Sequence, residues 1–168
     1  MPKNNPPLIR LAEPADLPAI NDIYNEAIAR TTATFHIQPM ELEDRKAWLD
    51  EHPPDMYPVY VAEVDGVIAG WAALSQYASR CAWRHTVEDS IYIAPEYQRK
   101  GIGALLLARL IEASRELQHH AIIAQISDHN AASIRLHEQF GFEIAGELRE
   151  VGRKFDRWLD ITLMEKIV

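Results

Sequence analysis

One run constrains the fold more than any other: YIAPEYQRKGIGALLLARLI, Tyr92 to Ile111. A β-like stretch ends at Pro95, a polar turn follows, and Gly101 and Gly103 flank Ile102 before apolar residues return at helical spacing. A strand that passes through a short turn into an amphipathic helix must lay that helix on its own sheet. The two glycines either satisfy the turn or let backbone amides approach a ligand at the helix start, where the dipole favours an anion. Two phosphate loops fail. A P-loop needs Gly-Lys-Ser/Thr, but Gly103 precedes Ala104; a dinucleotide fingerprint needs a third glycine where Leu106 stands. Taken alone, the turn reads equally well as a structural entry into a helix.

The rest of the chain supplies the sheet. Leu8–Ala12 reads as a strand, and Glu13-Pro14-Ala15-Asp16 opens a helix whose apolar face is Leu17, Ile20, Ile23, Tyr24, Ala27 and Ile28. A shorter helix is expected over Glu41–Glu51. Val59–Val64 and Val67–Leu74 flank Asp65-Gly66, a two-residue hairpin signal. Thr86–Ile93 is the next strand, Ile102–Leu117 a helix, Ala121–Ile126 a strand and Ala131–Phe140 a helix. Phe142–Glu150 and Trp158–Glu165 close as strands. The result is a mixed α/β (α+β) domain with one central sheet, not a regular doubly wound alternation.

Bulk properties narrow the function. A chain of 168 residues fits one domain, expected over residues 8–168 after a disordered stretch at 1–7. The net charge of −8 argues against a general nucleic-acid binder. Cys81 is the only cysteine, so no internal disulfide is possible. Neither a signal peptide nor an apolar run of about 20 residues is evident, which points to a cytoplasmic protein without a membrane anchor. His119-His120 and Asp128-His129 lack three or four ligands at a recognised spacing, so no metal is expected. Trp48, Trp71, Trp83 and Trp158 read as core or interface aromatics.

Two stretches together resemble one family. Gln98-Arg99-Lys100-Gly101-Ile102-Gly103 is similar to the Q/R-x-x-G-x-G/A signature of the GCN5-related N-acetyltransferases (GNAT), and Asn130 to Phe142 is similar to its N-x-x-A/S-x-x-x-Y-x-x-x-G-F/Y segment. The likeness runs from Ile9 to Lys166. Within the family, Arg84 to Ile93, Ser133 to Glu138 and Gly152 to Trp158 resemble the phosphinothricin and methionine sulfoximine acetyltransferase group.

The resemblance implies a GNAT fold, with a mixed, mostly antiparallel sheet flanked by helices, and acetyl-CoA as co-substrate. It implies that the amides of Gln98, Arg99, Lys100, Gly101, Ile102, Gly103 and Ala104 hold the pyrophosphate. Ile91, Tyr92 and Ile93 would contact the pantetheine arm and polarise the thioester carbonyl, with Asn130 and Ser133 also on the arm. A homodimer through the C-terminal strands is the family expectation. The substrate implied is a small amino acid.

Acetyl transfer to an amine needs a base, because an amino acid is mostly an ammonium near pH 7. Glu88 is the candidate, on a strand face shared with Thr86, Ser90 and Tyr92. His137 stands where most of the family has tyrosine, and it serves either as the acid for the leaving thiolate or as a second base. Arg84 is favoured for the substrate carboxylate, with Thr86 and the backbone of His85 assisting, Phe35 as a wall and Lys154, in a loop before the last strand, as a weaker choice. A protein N-terminus or another amine as acceptor, and a non-catalytic acyl-CoA-binding module, are the competing readings.

Overall fold

The computed structural model describes residues 6–168. The disorder expected over 1–7 falls, for residues 1–5, outside the described residues; Pro6 and Pro7 precede the first strand without regular structure. The strands are β1 (Leu8–Leu11), β2 (Val59–Val64), β3 (Val67–Gln76), β4 (Thr86–Ile93), β5 (Ala121–Ser127), β6 (Glu143–Lys154) and β7 (Arg157–Ile167). The helices are α1 (Leu17–Arg30), α2 (Leu42–Asp50), α3 (Ile102–Glu116) and α4 (Ala131–Gln139). One sheet runs β1-β2-β3-β4-β5-β7-β6, antiparallel except where β4 lies parallel to β5. No helix among the described residues is long and apolar enough to cross a membrane.

Period-two alternation builds two cores. On one face Val59, Val61, Trp71 and Ala73 meet Ile20, Ile23, Tyr24 and Ile28 of α1. On the other, Tyr60, Ala62, Ala72, Leu74 and Val87 meet Leu106, Leu107 and Leu110 of α3. Each of those three leucines is fully buried, worth about 1.5–3 kcal/mol apiece. The β2–β3 turn keeps its promise: Asp65 and Gly66 take φ of 50° and 84°, as a two-residue hairpin of matching twist requires. Pro14 starts a short 3-10 turn closed by reciprocal bonds between Glu13 and Asp16, and α1 proper begins one residue later.

Two expectations need correction. The sequence ELREVGRK reads as the end of a strand and a loop, whereas β6 continues to Lys154. The extra residues between Leu148 and Gly152 are taken up as a register irregularity, with Glu150 at φ 55°. Lys154 is therefore the last residue of a strand, not of a loop, and is buried. Of the four tryptophans, Trp48 and Trp71 pack in the first core, while Trp83 and Trp158 are exposed.

α2 looks polar, yet it seals the first core. Its Arg45 is 1% exposed, with the guanidinium 4.5 Å from the Tyr24 ring centre and 4.7 Å from that of Trp48. A delocalised cation tolerates such an aromatic box better than an ammonium would. The box stiffens Tyr24, which contacts Tyr92 edge-on at 5.0 Å. That pair forms one wall of the cleft described next.

Candidate active site

The parallel pairing of β4 with β5 stops early. Thr86, Val87 and Glu88 face Ala121, Ile122 and Ile123, and beyond that point the strands have no register together. A fork opens in the middle of the sheet, and a cleft of about 920 Å³ passes through it, a size suited to a small-molecule site. Glu88 stands at its apex.

The fork leaves backbone donors free along β4. The Ala94 amide donates to the Ala69 carbonyl, so by antiparallel alternation Tyr92 and Ser90 also bond towards β3. The amides of Ile91 and Ile93 then face the fork, and the Ile93 carbonyl on that side accepts from Gln98 Nε2 at 3.2 Å. Of the three amides expected on the arm, those of Ile91 and Ile93 face the fork and that of Tyr92 is turned to β3. Tyr92 contributes its side chain instead, and burial pushes its phenol well above the usual range.

At the outer end of β4 the glycine turn forms a second donor set. Arg99 and Gly101 adopt left-handed φ of 62° and 81°. Left-handed residues in such a turn point successive amides into one concavity, here capping the N-terminus of α3. A Cβ on Gly101 would meet no atom, so this glycine answers to its dihedral angle. One on Gly103 would come 3.3 Å from Leu136 Cδ2, so that glycine answers to the contact between α3 and α4. The concavity suits a pyrophosphate, and Arg99 lies on its rim. Lys100 points elsewhere, its ammonium 5.2 Å from the Tyr97 ring centre. Asn130 caps α4 by accepting from the Ser133 amide at 3.2 Å, and both residues line the cleft.

The two faces of β4 carry different chemistry. Glu88 accepts from Gln125 Nε2 across the fork at 2.9 Å. Burial raises its pKa above the ordinary 4.5; the Gln125 bond opposes the rise and the nearby Asp89 charge adds to it. On the opposite face, Asp89 Oδ2 lies 2.9 Å from His137 Nε2, and both side chains are almost wholly buried. His137 Nδ1 lies 2.8 Å from the Ser133 carbonyl, and the ring meets Phe142 edge-on at 4.9 Å. Burial alone would lower the His137 pKa, but the bond to Asp89, its charge and the Ser133 carbonyl outweigh that and raise it.

At the third end, the segment between α1 and α2 crosses the cleft as a strap. The Ser127 hydroxyl donates to the Thr32 carbonyl, Lys154 Nζ donates to the Thr34 carbonyl at 2.9 Å, and the Phe35 ring lies against Gly152. A Cβ at Gly152 would overlap that ring. Lys154 is desolvated, which lowers its pKa.

Phe35, Glu88, Ile91, Tyr92, Ile93, Gln98 and Arg99 line the cleft, as do Gly101, Ile102, Gly103, Ala104, Asn130, Ser133 and His137. Arg84, His85, Thr86, Lys100 and Lys154 do not. The 3-10 turn Cys81–Trp83 leaves Arg84 exposed, its Nε donating to its own neighbour His85 at 2.9 Å. Sequence reasoning missed Tyr24, Thr34 and Gln125 in the lining, and the pairing of Asp89. Only Asp89 carried a signal: an acid among Val87, Ile91 and Ile93 on an apolar strand face. Another cluster also escaped notice. His129, Glu147 and Asp160 bring ligand atoms within 4.8 Å of one another, and the bonds His129–Asp160 at 3.1 Å and His129–Glu147 at 3.3 Å account for the cluster as ion pairing.

Comparison with known proteins places this architecture. The model of the Acetyltransferase (GNAT) family matches residues 20–142. The chain is 42% identical over 157 residues to an L-methionine sulfoximine/L-methionine sulfone acetyltransferase of Salmonella typhimurium, covering 94% of this chain and 92% of the relative. Among solved structures, a GNAT superfamily phosphinothricin acetyltransferase from Sinorhizobium meliloti in complex with AcCoA superposes with a TM-score of 0.95 at 34% identity, over 98% of this chain and 89% of that one. A ribosomal-protein-alanine N-acetyltransferase from Brucella melitensis gives 0.93 at 45% identity, over 96% and 99%.

Proposed function

The chain belongs to the GNAT acetyltransferase family and is an N-acetyltransferase, and from that premise we propose that it acetylates the α-amino group of a small amino acid of the phosphinothricin, methionine sulfoximine or methionine sulfone type. One observation carries the reading. A cleft through the sheet has a carboxylate of raised pKa on one face of β4 and a buried histidine on the other. An acyl group at the fork would have its attacking amine on one side and its departing sulfur on the other.

The chemistry follows from that arrangement. The free amides of Ile91 and Ile93 suit the pantetheine arm and the thioester oxygen, where a fixed N–H stabilises the developing oxyanion. The turn from Gln98 to Ala104 suits the pyrophosphate. Glu88 takes a proton from the ammonium, directly or through water, and the nitrogen lone pair forms the C–N bond. When the C–S bond breaks, its electron pair goes to sulfur. His137 is the acid, holding positive charge beside that sulfur and returning a proton to it. The amine loses two protons in all; one replaces that given by His137 and the other is released to solvent.

Neither Arg84 nor Lys154 lines the cleft; Lys154 is better placed for the substrate carboxylate, because it is buried and bonded to Thr34, which does line it. Phe35, Tyr24 and Tyr92 give that end an apolar wall that limits side-chain size. A homodimer remains our reading of the assembly. β6 ends the sheet, and Ile144, Leu148 and Trp158 are exposed on the β6–β7 hairpin.

A second acceptor class is favoured by the likeness to the Brucella melitensis enzyme, the N-terminal amine of a protein. One assay separates the two. Thiol release from acetyl-CoA would be followed with free methionine sulfoximine and phosphinothricin, with their carboxamides, and with peptides beginning in alanine. The expected result is turnover of the free acids, loss on the carboxamides and none on the peptides. Turnover of the peptides at rates matching the free acids would reverse the assignment.

A further inference from the structure

Both nitrogens of the His137 ring face oxygen atoms. Nδ1 faces the Ser133 carbonyl at 2.8 Å and Nε2 faces Asp89 Oδ2 at 2.9 Å. A neutral imidazole carries one N–H, so it would leave a lone pair against an oxygen lone pair at one of these contacts. With Asp89 ionised, only the imidazolium satisfies both; a neutral ring would require Asp89 to carry the proton, in a pair whose side chains are 5% and 2% exposed. Among the described residues Asp89 is the one charged side chain that acts on the ring. Phe142 closes one side with an aromatic edge, and Glu88 lies across the strand on the opposite face.

We propose that Asp89 is a positioning residue for acetyl transfer: it keeps His137 in its doubly protonated form and ties α4, which carries Asn130 and Ser133, to the strand that carries Glu88. This rests on the reading of His137 as the acid. Nδ1–H is turned back into its own helix, so Nε2–H, shared with Asp89, is the proton that can pass to the departing sulfur. Asp89 therefore holds the charge on the acid, and the Nε2–H leaves that contact to reach the sulfur. The same contact makes the histidine unfit as a second base, since no ring lone pair is free.

The test begins with the unmutated protein, so that folding of a variant cannot blur it. Nitrogen-15 shifts of the His137 ring at pH 7.5 should show both nitrogens protonated; a neutral tautomer would overturn the proposal. Asp89→Asn keeps a hydrogen-bond acceptor and removes the charge. In that variant the His137 titration should move down by about one pH unit or more, since one unit reflects a modest change in local charge. The alkaline limb of kcat should move with it, while KM for acetyl-CoA stays within about twofold. An unmoved kcat limb beside a moved titration would sink the positioning role. The reading of His137 as acid fails separately, if His137→Gln retains full kcat.

Discussion

Glu88 and Asp89 are adjacent carboxylates on one strand, and they do opposite work. Glu88 faces the fork, holds a single side-chain bond from Gln125 and has its pKa raised by burial, so it is poised to gain and lose a proton. Asp89 points to the other core, pairs with the His137 ring and gives it a charge to keep. Strand geometry alone separates them, because successive side chains of a strand leave on opposite faces. The comparison teaches that the sheet is the sorting device: identical groups one residue apart become a base and a counter-ion according to which core each meets.

The comparison breaks hardest through rate. Glu88→Gln should lower kcat/KM by about 10²–10⁴-fold at pH 7, the usual worth of a general base, with thermal stability nearly unchanged. Asp89→Ala should show the reverse emphasis. Removing one partner of a buried pair typically costs about 3–5 kcal/mol, which chemical denaturation would measure. Equal stability losses for the two variants would abolish the distinction between base and counter-ion.

Weaker effects sharpen it. The folded-state pKa values of Glu88 and His137 are both raised, so each contributes stability at low pH that is lost as pH rises through the folded value. The two windows differ, Glu88's opening above 4.5 and His137's above 6.5. Unfolding free energy against pH should lose its lower slope in Glu88→Gln and its upper slope in His137→Gln. Smallest of all, Gln125→Ala removes the bond that holds the Glu88 pKa down, so the acidic limb of kcat/KM should move to higher pH.

Much of this was legible in the sequence. Alternation from Thr86 to Ile93 correctly divided Glu88 from Asp89, and the glycine turn with Asn130 to Phe142 led to the family. The faults were of one kind, long-range contacts. Lys154 looked like a loop charge because ELREVGRK contains a glycine and five charges, and only the register with β7 reveals a bulge rather than a stop. Nothing in the sequence marked Arg45, because its aromatic partners Tyr24, Trp48 and Trp71 come from α1, α2 and β3. Arg84 looked like a pocket residue because it precedes Glu88 closely, but the fork opens only after Glu88, so residues before it fall outside.

The central claim is that Glu88 removes the proton that makes the amine inert. It is tested most directly by kcat/KM on methionine sulfoximine against pH, for the unmutated protein and Glu88→Gln. The account predicts a wide gap near pH 7 that narrows as pH rises and the substrate amine becomes unprotonated without help. A gap of constant size across the range, or none at any pH, would contradict it.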